Sequence, residues 1–258
     1  MTSPNVNELY LYLNEKIPSA LSCDWDNDGL MVAANCDRKV NKILLALDVT
    51  DSVVREAKER GCDTIISHHP LIFKPLSSLN TSDPVAKTAI ACVVDDIAVM
   101  SFHTRLDALV GGVNDVLAEL IGVMDTSEFG PHGEEIGRIG VLEHETTPKQ
   151  LALKIKKILG ADSVRLTDAS RPVKKVALLG GGGKDYVIPA KLAGADAFVT
   201  GEINYNTAVT ARDCGISVIE AGHYFTEAPV LAFIKELVKR EFPSVLFEFA
   251  VSNPTVAL

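Results

Sequence analysis

The sequence lacks the features of several common protein classes. Five cysteines among 258 residues form no Cys-x-x-Cys motif and show no regular spacing, which argues against a disulfide framework and fits reduced thiols. No apolar run approaches the roughly 20 residues of a membrane-spanning helix. The first residues lack the basic and apolar regions of a signal peptide. We therefore expect a cytoplasmic protein that does not bind membranes.

Positive charge is also scarce. Lys and Arg number 25 against 34 Asp and Glu, which gives a formal net charge of −9. Because binding to nucleic-acid phosphates depends on clustered Lys and Arg, we expect no general nucleic-acid binding. A hydrophobic content of 47% with 23% charged residues is ordinary for a globular protein. The chain is long enough for one large domain or two lobes.

Apolar runs alternate with segments of helical periodicity along the chain. Residues 42–47 and 175–179 read as buried strands, whereas 51–60 and 84–94 read as helices. This alternation predicts an α/β fold with mixed, largely buried sheets flanked by helices.

A polar segment with Gly and Pro, residues 124–135, is the candidate lobe boundary. We predict a first lobe, 1–125 plus 215–258, that carries most of the site residues, and a second lobe, 126–214.

An internal repeat supports two similar lobes. Aligning the strand that begins at Lys42 with the strand that begins at Lys175 places Asp63 on Asp196, and His69 on Glu202. Two such strand-helix units that face each other would bring their strand ends to one crevice, where open α/β sheets usually bind ligands.

Histidines and carboxylates follow three of the apolar runs. His68 and His69 come directly after residues 63–67. Two later runs are each followed by a histidine four residues before a carboxylate, namely His103 with Asp107 and His223 with Glu227. Imidazole and carboxylate suit zinc, iron, manganese or nickel, and six ligands exceed the need of one tetrahedral ion. The joint pattern predicts a site for two divalent metal ions.

Each of these motifs has a structural alternative when taken alone. Adjacent histidines serve many roles besides metal binding, and a His-x-x-x-carboxylate pair can be a local ion pair on a helix. Asp107 and Glu227 are the candidates for a carboxylate that bridges two ions. Glu202 ends a strand and is a candidate general acid or base, or simply a charged strand end. The glycine run 180–183 fails the Walker pattern and is typical of a tight turn, and its bare amides leave a role in approaching the phosphates of a ligand open.

Several ordered motifs together resemble the Nif-three-like family of dinuclear metal proteins, also named GTP cyclohydrolase 1 type 2 homologues. The resemblance spans essentially the whole chain. It rests on Trp25-Asp-Asn-Asp-Gly-Leu30, Ser67-His-His-Pro70, His103-Thr-Arg-Leu-Asp107, Gly111-Gly-Val-Asn-Asp115, Gly137-Arg-Ile-Gly140, Thr200-Gly-Glu202 and Gly222-His-Tyr-Phe-Thr-Glu227.

The resemblance implies two intertwined, similar α/β lobes, a homohexameric ring built from dimers, and two metal ions per subunit. The residues that match the family's ligands are His68, His69, Asp107, His223 and Glu227, with the Glu227 position bridging. His103 matches a site histidine that is a ligand or lies close behind the ligands. Two positions depart from the family. Arg105 replaces a usual Asn and could pair with an anionic substrate or with a site carboxylate, and residues 203–206 lack a histidine that many members carry.

Two functions of different classes follow. The first is a metal-dependent hydrolase in which activated water attacks a nucleotide or phosphoester, with His103 or Glu202 transferring protons. The family name implies attack on the imidazole ring of GTP with loss of formate to give dihydroneopterin triphosphate. The alternative is a metal-bound oligomeric scaffold or regulator without turnover.

Overall fold

The computed structural model describes residues 3–251 and 253–255, so the predicted outer limits of the first lobe, 1 and 258, lie outside the described residues. The strands are β1 (Gly29–Val32), β2 (Lys42–Ala46), β3 (Thr64–Ser67), β4 (Ala98–Ser101), β5 (Val123–Phe129), β6 (Gly137–Thr146), β7 (Arg165–Thr167), β8 (Val173–Gly182), β9 (Ala197–Glu202), β10 (Ser217–Glu220) and β11 (Leu246–Phe249). The α-helices are α1 (Val6–Lys16), α2 (Asp51–Glu59), α3 (Pro84–Val94), α4 (Thr104–Ala108), α5 (Val113–Ile121), α6 (Pro148–Leu159), α7 (Val187–Leu192), α8 (Tyr205–Cys214), α9 (His223–Glu227) and α10 (Val230–Glu241). Single turns of 3-10 helix cover Ser19–Leu21 and Lys184–Tyr186.

The first of two compact units comprises Met1–Leu106 and Leu231–Asn253, as far as these ranges are described. Its sheet has the strand order β1-β4-β3-β2-β11, in which β1 is antiparallel to β4 and the other neighbours are parallel. β3 and β4 are buried at every position because helices cover a parallel sheet. α2 and α3 pack on this sheet through Val53, Ala57 and Ala89.

The second unit comprises Asp107–Val230 and Pro254–Leu258, again as far as described. Its sheet has the strand order β5-β6-β8-β9-β10-β7, with β8, β9 and β10 parallel and the others antiparallel. Both sheet faces are buried. Val176 and Leu178 of β8 belong to one apolar cluster, and the alternating Ala177 and Leu179 belong to another.

The predicted repeat is present in the strand pairing. Ile43 of β2 pairs with Thr64 of β3, and the aligned residues Val176 of β8 and Ala197 of β9 pair in the same way. Asp63 and Asp196 also share a role, because the Asp63 carboxylate accepts a hydrogen bond from the Asn41 amide and the Asp196 carboxylate accepts one from the aligned Lys174 amide. The mixed α/β class with two similar sheets is therefore confirmed.

The candidate boundary segment has more structure than its composition predicts. Residues 123–129 form β5, which pairs with β6. Five consecutive residues of β5 are exposed, since the strand lies at a sheet edge, and an exposed edge strand carries no apolar pattern.

The observed division of the chain also differs from the predicted lobes. α5 and β5 contribute to the second unit, and so does β10, which pairs with β9. Asp107 and residues 215–230 therefore lie in the second unit. As a result the candidate metal ligands are divided, with His68 and His69 in the first unit and three others in the second.

Over residues 3–251 and 253–255, no helix combines the length and apolar character needed to cross a bilayer. The cytoplasmic location stays a prediction.

Candidate functional site

Three histidines of the first unit cluster at the carboxyl ends of neighbouring strands. His68 and His69 follow β3, and His103 follows β4. These strands are parallel and in register, so their carboxyl ends meet at the same sheet edge. The ring centroids lie 5.0, 5.3 and 5.6 Å apart, and one ring nitrogen from each residue lies within 4.8 Å of the others. The sequence prediction that these side chains come together is correct.

Each of these imidazoles is held in place through Nδ1. The acceptors are the Phe102 carbonyl oxygen for His68 at 2.9 Å, Asp48 Oδ1 for His69 at 2.8 Å, and Asp26 Oδ1 for His103 at 2.8 Å. When Nδ1 donates its hydrogen to such an acceptor, Nε2 is the atom with which the ring binds a metal ion. This is the usual environment of a metal-binding histidine, and the donor set fits a divalent transition metal ion.

Asp26 is a fully buried carboxylate that orients His103. Burial opposes its ionisation, but hydrogen bonds from the His103 ring and from the amide and hydroxyl of Thr104 outweigh that effect and lower the pKa of Asp26 to about 2. The ionised carboxylate therefore accepts the Nδ1 hydrogen of His103 at neutral pH, which fixes the tautomer of the ring.

Asp48 plays the corresponding part for His69, and its replacement gives a direct test. We expect Asp48→Asn to weaken metal binding by about 10- to 100-fold, because a neutral acceptor makes the imidazole a poorer ligand. Competition against a chromophoric chelator measures this affinity. Asp51→Asn is the matched control, since the Asp51 side chain has a similar exposure, 41% against 38% for Asp48. Equal affinities of the two variants would contradict the orienting role of Asp48.

The second unit brings another histidine together with two carboxylates. His223 begins α9 and Glu227 ends it. His223 Nδ1 lies 3.2 Å from Glu202 Oε1, and His223 Nε2 lies 3.1 Å from Glu227 Oε2. Glu227 is 5% exposed, whereas the Glu202 side chain is 64% exposed. His223 and Glu227 therefore present ligand atoms side by side, with Glu202 behind the imidazole.

The glycine run makes room for this pair. Gly180 and Gly181 are the last buried residues of β8, and Gly181 has φ +67°. A Cβ on Gly181 would lie 2.1 Å from Glu227 Oε1 and 3.0 Å from His223 Nε2. Gly201 is equally constrained, since its Cβ would lie 2.7 Å from the His223 Cα. The backbone of the glycine run therefore lies close to the candidate ligands. The turn that the sequence predicts is only the end of this run.

Asp107 lies in α4 and is 6% exposed. The segment that follows Asp107 is held by the buried side chain of Asn114. This side chain donates to the Asp107 carbonyl oxygen at 3.2 Å and accepts from the Gly180 amide at 2.8 Å. Arg138 adds a bond to the Ala108 carbonyl at 2.8 Å and an ion pair with Asp115. One polar network therefore supports both Asp107 and the glycine run.

Arg105 is a buried side chain that pairs with a carboxylate. Its side chain is 1% exposed and forms two bonds to Asp28, at 2.8 and 2.7 Å. It also donates to Asn14 and to the Ile17 carbonyl. Burial alone would lower the pKa of Arg105, but the Asp28 carboxylate raises it above its usual value. Arg105 is a structural ion-pair partner, and an anionic substrate has no access to it.

Sequence reasoning missed Asp26, Asp48 and Asn114 as supports of the site. A signal exists for Asp48, which follows β2 within two residues of the strand end, next to the strand that carries His68 and His69. Asp26 belongs to the motif that starts at Trp25, but its partner His103 lies 77 residues further along the sequence.

Comparisons with known proteins agree with these observations. The Duf34/NIF3 (NGG1p interacting factor 3) family profile matches residues 4–255. The chain is similar to the "GTP cyclohydrolase 1 type 2 homolog" of Clostridium perfringens, with 35% identity over 254 residues and 96% of each chain covered. It is also similar to the "Protein NIF3 homolog" of Schizosaccharomyces pombe, with 30% identity over 260 residues that cover 95% of this chain and 91% of the relative.

Solved structures give the same result. A Bacillus cereus protein related to NIF3 superposes with a TM-score of 0.89 at 25% identity, and the match covers 100% of both chains. Reduced HcgD from Methanocaldococcus jannaschii superposes with a TM-score of 0.84 at 25% identity, covering 96% of this chain and 98% of that one. From its sequence match, its relatives and its fold, this chain belongs to the Duf34/NIF3 family.

Proposed function

We propose that this chain is a hydrolase that uses two divalent ions, held by His68, His69, Asp107, His223 and Glu227, to cleave a nucleotide or phosphoester. The observation that carries the proposal is the set of hydrogen bonds that fixes three imidazoles of the first unit through Nδ1. Histidines in a purely structural cluster need no such common orientation. The names of curated relatives as GTP cyclohydrolase 1 type 2 homologues support the same class of reaction.

His103 has two roles open to it. Its ring clusters with His68 and His69, which favours a ligand role. Its side chain is 19% exposed and bonded to an ionised carboxylate, which would also suit transfer of a proton to the substrate.

The second unit supplies the carboxylates of the proposal. Asp107 and Glu227 are nearly buried, and a buried carboxylate is stable when a cation neutralises it. Glu227 would be the carboxylate shared by the two ions, as the family resemblance implies, and Gly181 leaves room for it beside His223 Nε2. Glu202 is exposed and reaches His223 Nδ1, so it can orient that ring and exchange protons with solvent.

Two cavities lie beside Glu202, and the second suits a small anionic substrate better, because Asp162 and Glu220 also line the first and repel an anion. The cavity volumes are about 340 and about 450 Å³, and Arg165 and Glu202 line both. Lys184 and the backbone of Gly182 line the second cavity. Both cations already have a carboxylate nearby, since Arg165 lies 3.3 Å from Glu220 Oε1 and Lys184 lies 3.9 Å from Asp185 Oδ2. Because the two cations are 68% and 61% exposed, a phosphate group can reach them and compete with these carboxylates.

When bound, two divalent ions supply water of lowered pKa and neutralise negative charge that develops on the substrate. The residues of the chain do the remaining work. Asp26 and Asp48 hold their imidazoles in one tautomer, Glu202 exchanges a proton, and Arg165 and Lys184 bind the anionic part of the substrate.

The test is the double variant Asp107→Ala with Glu227→Ala. We expect its metal content to fall from about two ions per chain to fewer than one, since both carboxylates are lost. Formate release from GTP and nitrophenol release from bis(nitrophenyl) phosphate should fall to the buffer level. Asp168→Ala with Glu236→Ala is a control at positions outside the proposed site.

The scaffold alternative predicts another result. A wild-type protein that binds metal but turns over neither probe, together with a double variant that keeps its oligomeric size, would contradict the hydrolase and favour a scaffold. The hexameric assembly stays a prediction, which sedimentation of the same two samples measures.

A further inference from the structure

Two large aromatic side chains lie partly exposed beside the histidine cluster of the first unit. Trp25 is 52% exposed and Phe73 is 43% exposed, although both could bury most of their area in a core. Their rings lie 6.1 Å apart, and each ring also lies close to His103, at 6.2 Å for Trp25 and 6.1 Å for Phe73. Exposed aromatic surface next to a reactive centre is typical of a ligand-binding wall.

The angles between these rings show that no two of them stack face to face. The planes of Trp25 and Phe73 meet at 70°, those of Trp25 and His103 at 73°, and those of Phe73 and His103 at 88°. In an edge-to-face contact the edge of one ring lies against a face of the other, so such a pair leaves more flat surface open than a stacked pair does. Flat aromatic surface binds another flat ring best.

The two loops that carry these rings are tied together. The Asn27 side chain donates to the Ile72 carbonyl, directly before Phe73. Asp26 holds the His103 ring, and Asp28 accepts from the His103 amide at 3.0 Å and from Arg105. The aromatic pair is therefore positioned before a ligand arrives, which reduces the entropy lost on binding.

The surroundings indicate which part of a substrate this surface would bind. Asp24, next to Trp25, is exposed and repels a phosphate group. The Asn27 side chain is exposed beside the flat apolar surface, and its amide oxygen can accept a hydrogen bond while its nitrogen donates to the Ile72 carbonyl. A ring with a flat apolar face and hydrogen-bonding edges matches both features.

We propose that Trp25 and Phe73 bind the nucleobase of the substrate by stacking beside the histidine cluster. This inference rests on the proposed hydrolase function, narrows its substrate to a nucleotide and adds two base-binding residues to it. A base held there lies next to the ring of His103, while phosphate groups would be bound elsewhere. Because every base has an aromatic face, stacking alone tolerates several bases.

The single tryptophan of the chain makes the test direct, because all indole fluorescence comes from Trp25. Guanosine, adenosine and cytidine monophosphates are titrated into the metal-loaded protein, with ribose phosphate as the matched ligand that lacks a base. We expect saturable quenching by the nucleotides and none by ribose phosphate. In Phe73→Leu the nucleotide affinity should fall about 5- to 100-fold, which is the range expected when a stacking ring is lost. Phe249→Leu, at a position of 42% exposure, should bind as the wild type does.

Three outcomes would overturn the inference: no quenching by any nucleotide, equal quenching by ribose phosphate, or equal nucleotide affinity in Phe73→Leu and Phe249→Leu. These results are independent of turnover. Quenching that depends on Phe73 in a protein without hydrolase activity would sustain the base-binding surface and defeat the hydrolase. Turnover of a substrate without such quenching would sustain the hydrolase and defeat the base-binding surface.

Discussion

Gly181→Ala should lose most of its bound metal and a measurable part of its stability. The new Cβ would lie 2.1 Å from Glu227 Oε1, so the carboxylate has to move away from its position beside His223 Nε2. The left-handed backbone of Gly181, with φ +67°, adds a cost of about 1–2 kcal/mol for a residue with a side chain. Metal analysis and thermal denaturation of the same sample measure both effects.

Two other glycines separate the steric effect on Glu227 from the backbone cost. Gly182 is the neighbour of Gly181 in the same run. The Cβ of Gly182→Ala would meet no atom within 4 Å, so the free energy of unfolding should change by less than about 0.5 kcal/mol. Gly160→Ala has a similar backbone, φ +64°, and open space around its Cβ, so it measures the backbone cost alone. Normal metal content in Gly181→Ala would show that the position of the Glu227 carboxylate is not needed for binding.

Arg105→Met should unfold far more easily than the wild type, by about 3–5 kcal/mol, because it leaves the Asp28 carboxylate buried without its cation. The Asp28 side chain is 4% exposed, and the Arg105 side chain fills space among Asn14, Ile17 and Asp28. Chemical denaturation measures the free energy of unfolding. Since Asp28 also accepts from the His103 amide, we expect weaker metal binding in this variant too.

Arg55→Met is the matched control for an exposed ion pair. Arg55 and Asp51 lie 3.5 Å apart with side chains 69% and 41% exposed, and such pairs contribute less than about 1 kcal/mol. If Arg105→Met were as stable as Arg55→Met but bound anionic substrates more weakly, Arg105 would be a substrate-binding residue after all.

The elements around the histidines were predictable because their signals are local. β3 is an apolar run that ends at the histidine pair, and α3 has the predicted bounds, 84–94, with Pro84 as its first residue. Parallel strands in register then bring separate strand ends together, so residues 34 positions apart share one edge.

The residues that orient the ligands were not predictable in this way. Asp26 reaches His103 from a turn-rich segment without periodicity, and Asn114 reaches Gly180 from the inside of α5. Both contacts depend on tertiary packing, which no short pattern encodes. β5 was missed for another reason, since an exposed edge strand is polar on most of its length.

The glycine run shows how composition can mislead. Consecutive glycines after a strand suggest a turn, and Gly181 does have a left-handed φ. The stronger constraint is spatial, because Glu227 and His223 occupy the place of a side chain. Only the packed structure shows that these residues belong to the candidate site.

Metal content per chain tests the central claim most directly. The protein is purified without chelator, and its metals are quantified by mass spectrometry. We expect about two divalent ions per chain, as a dinuclear hydrolase requires. A value near zero that persists after incubation with zinc, manganese, iron and nickel would contradict the site assignment and the hydrolase together.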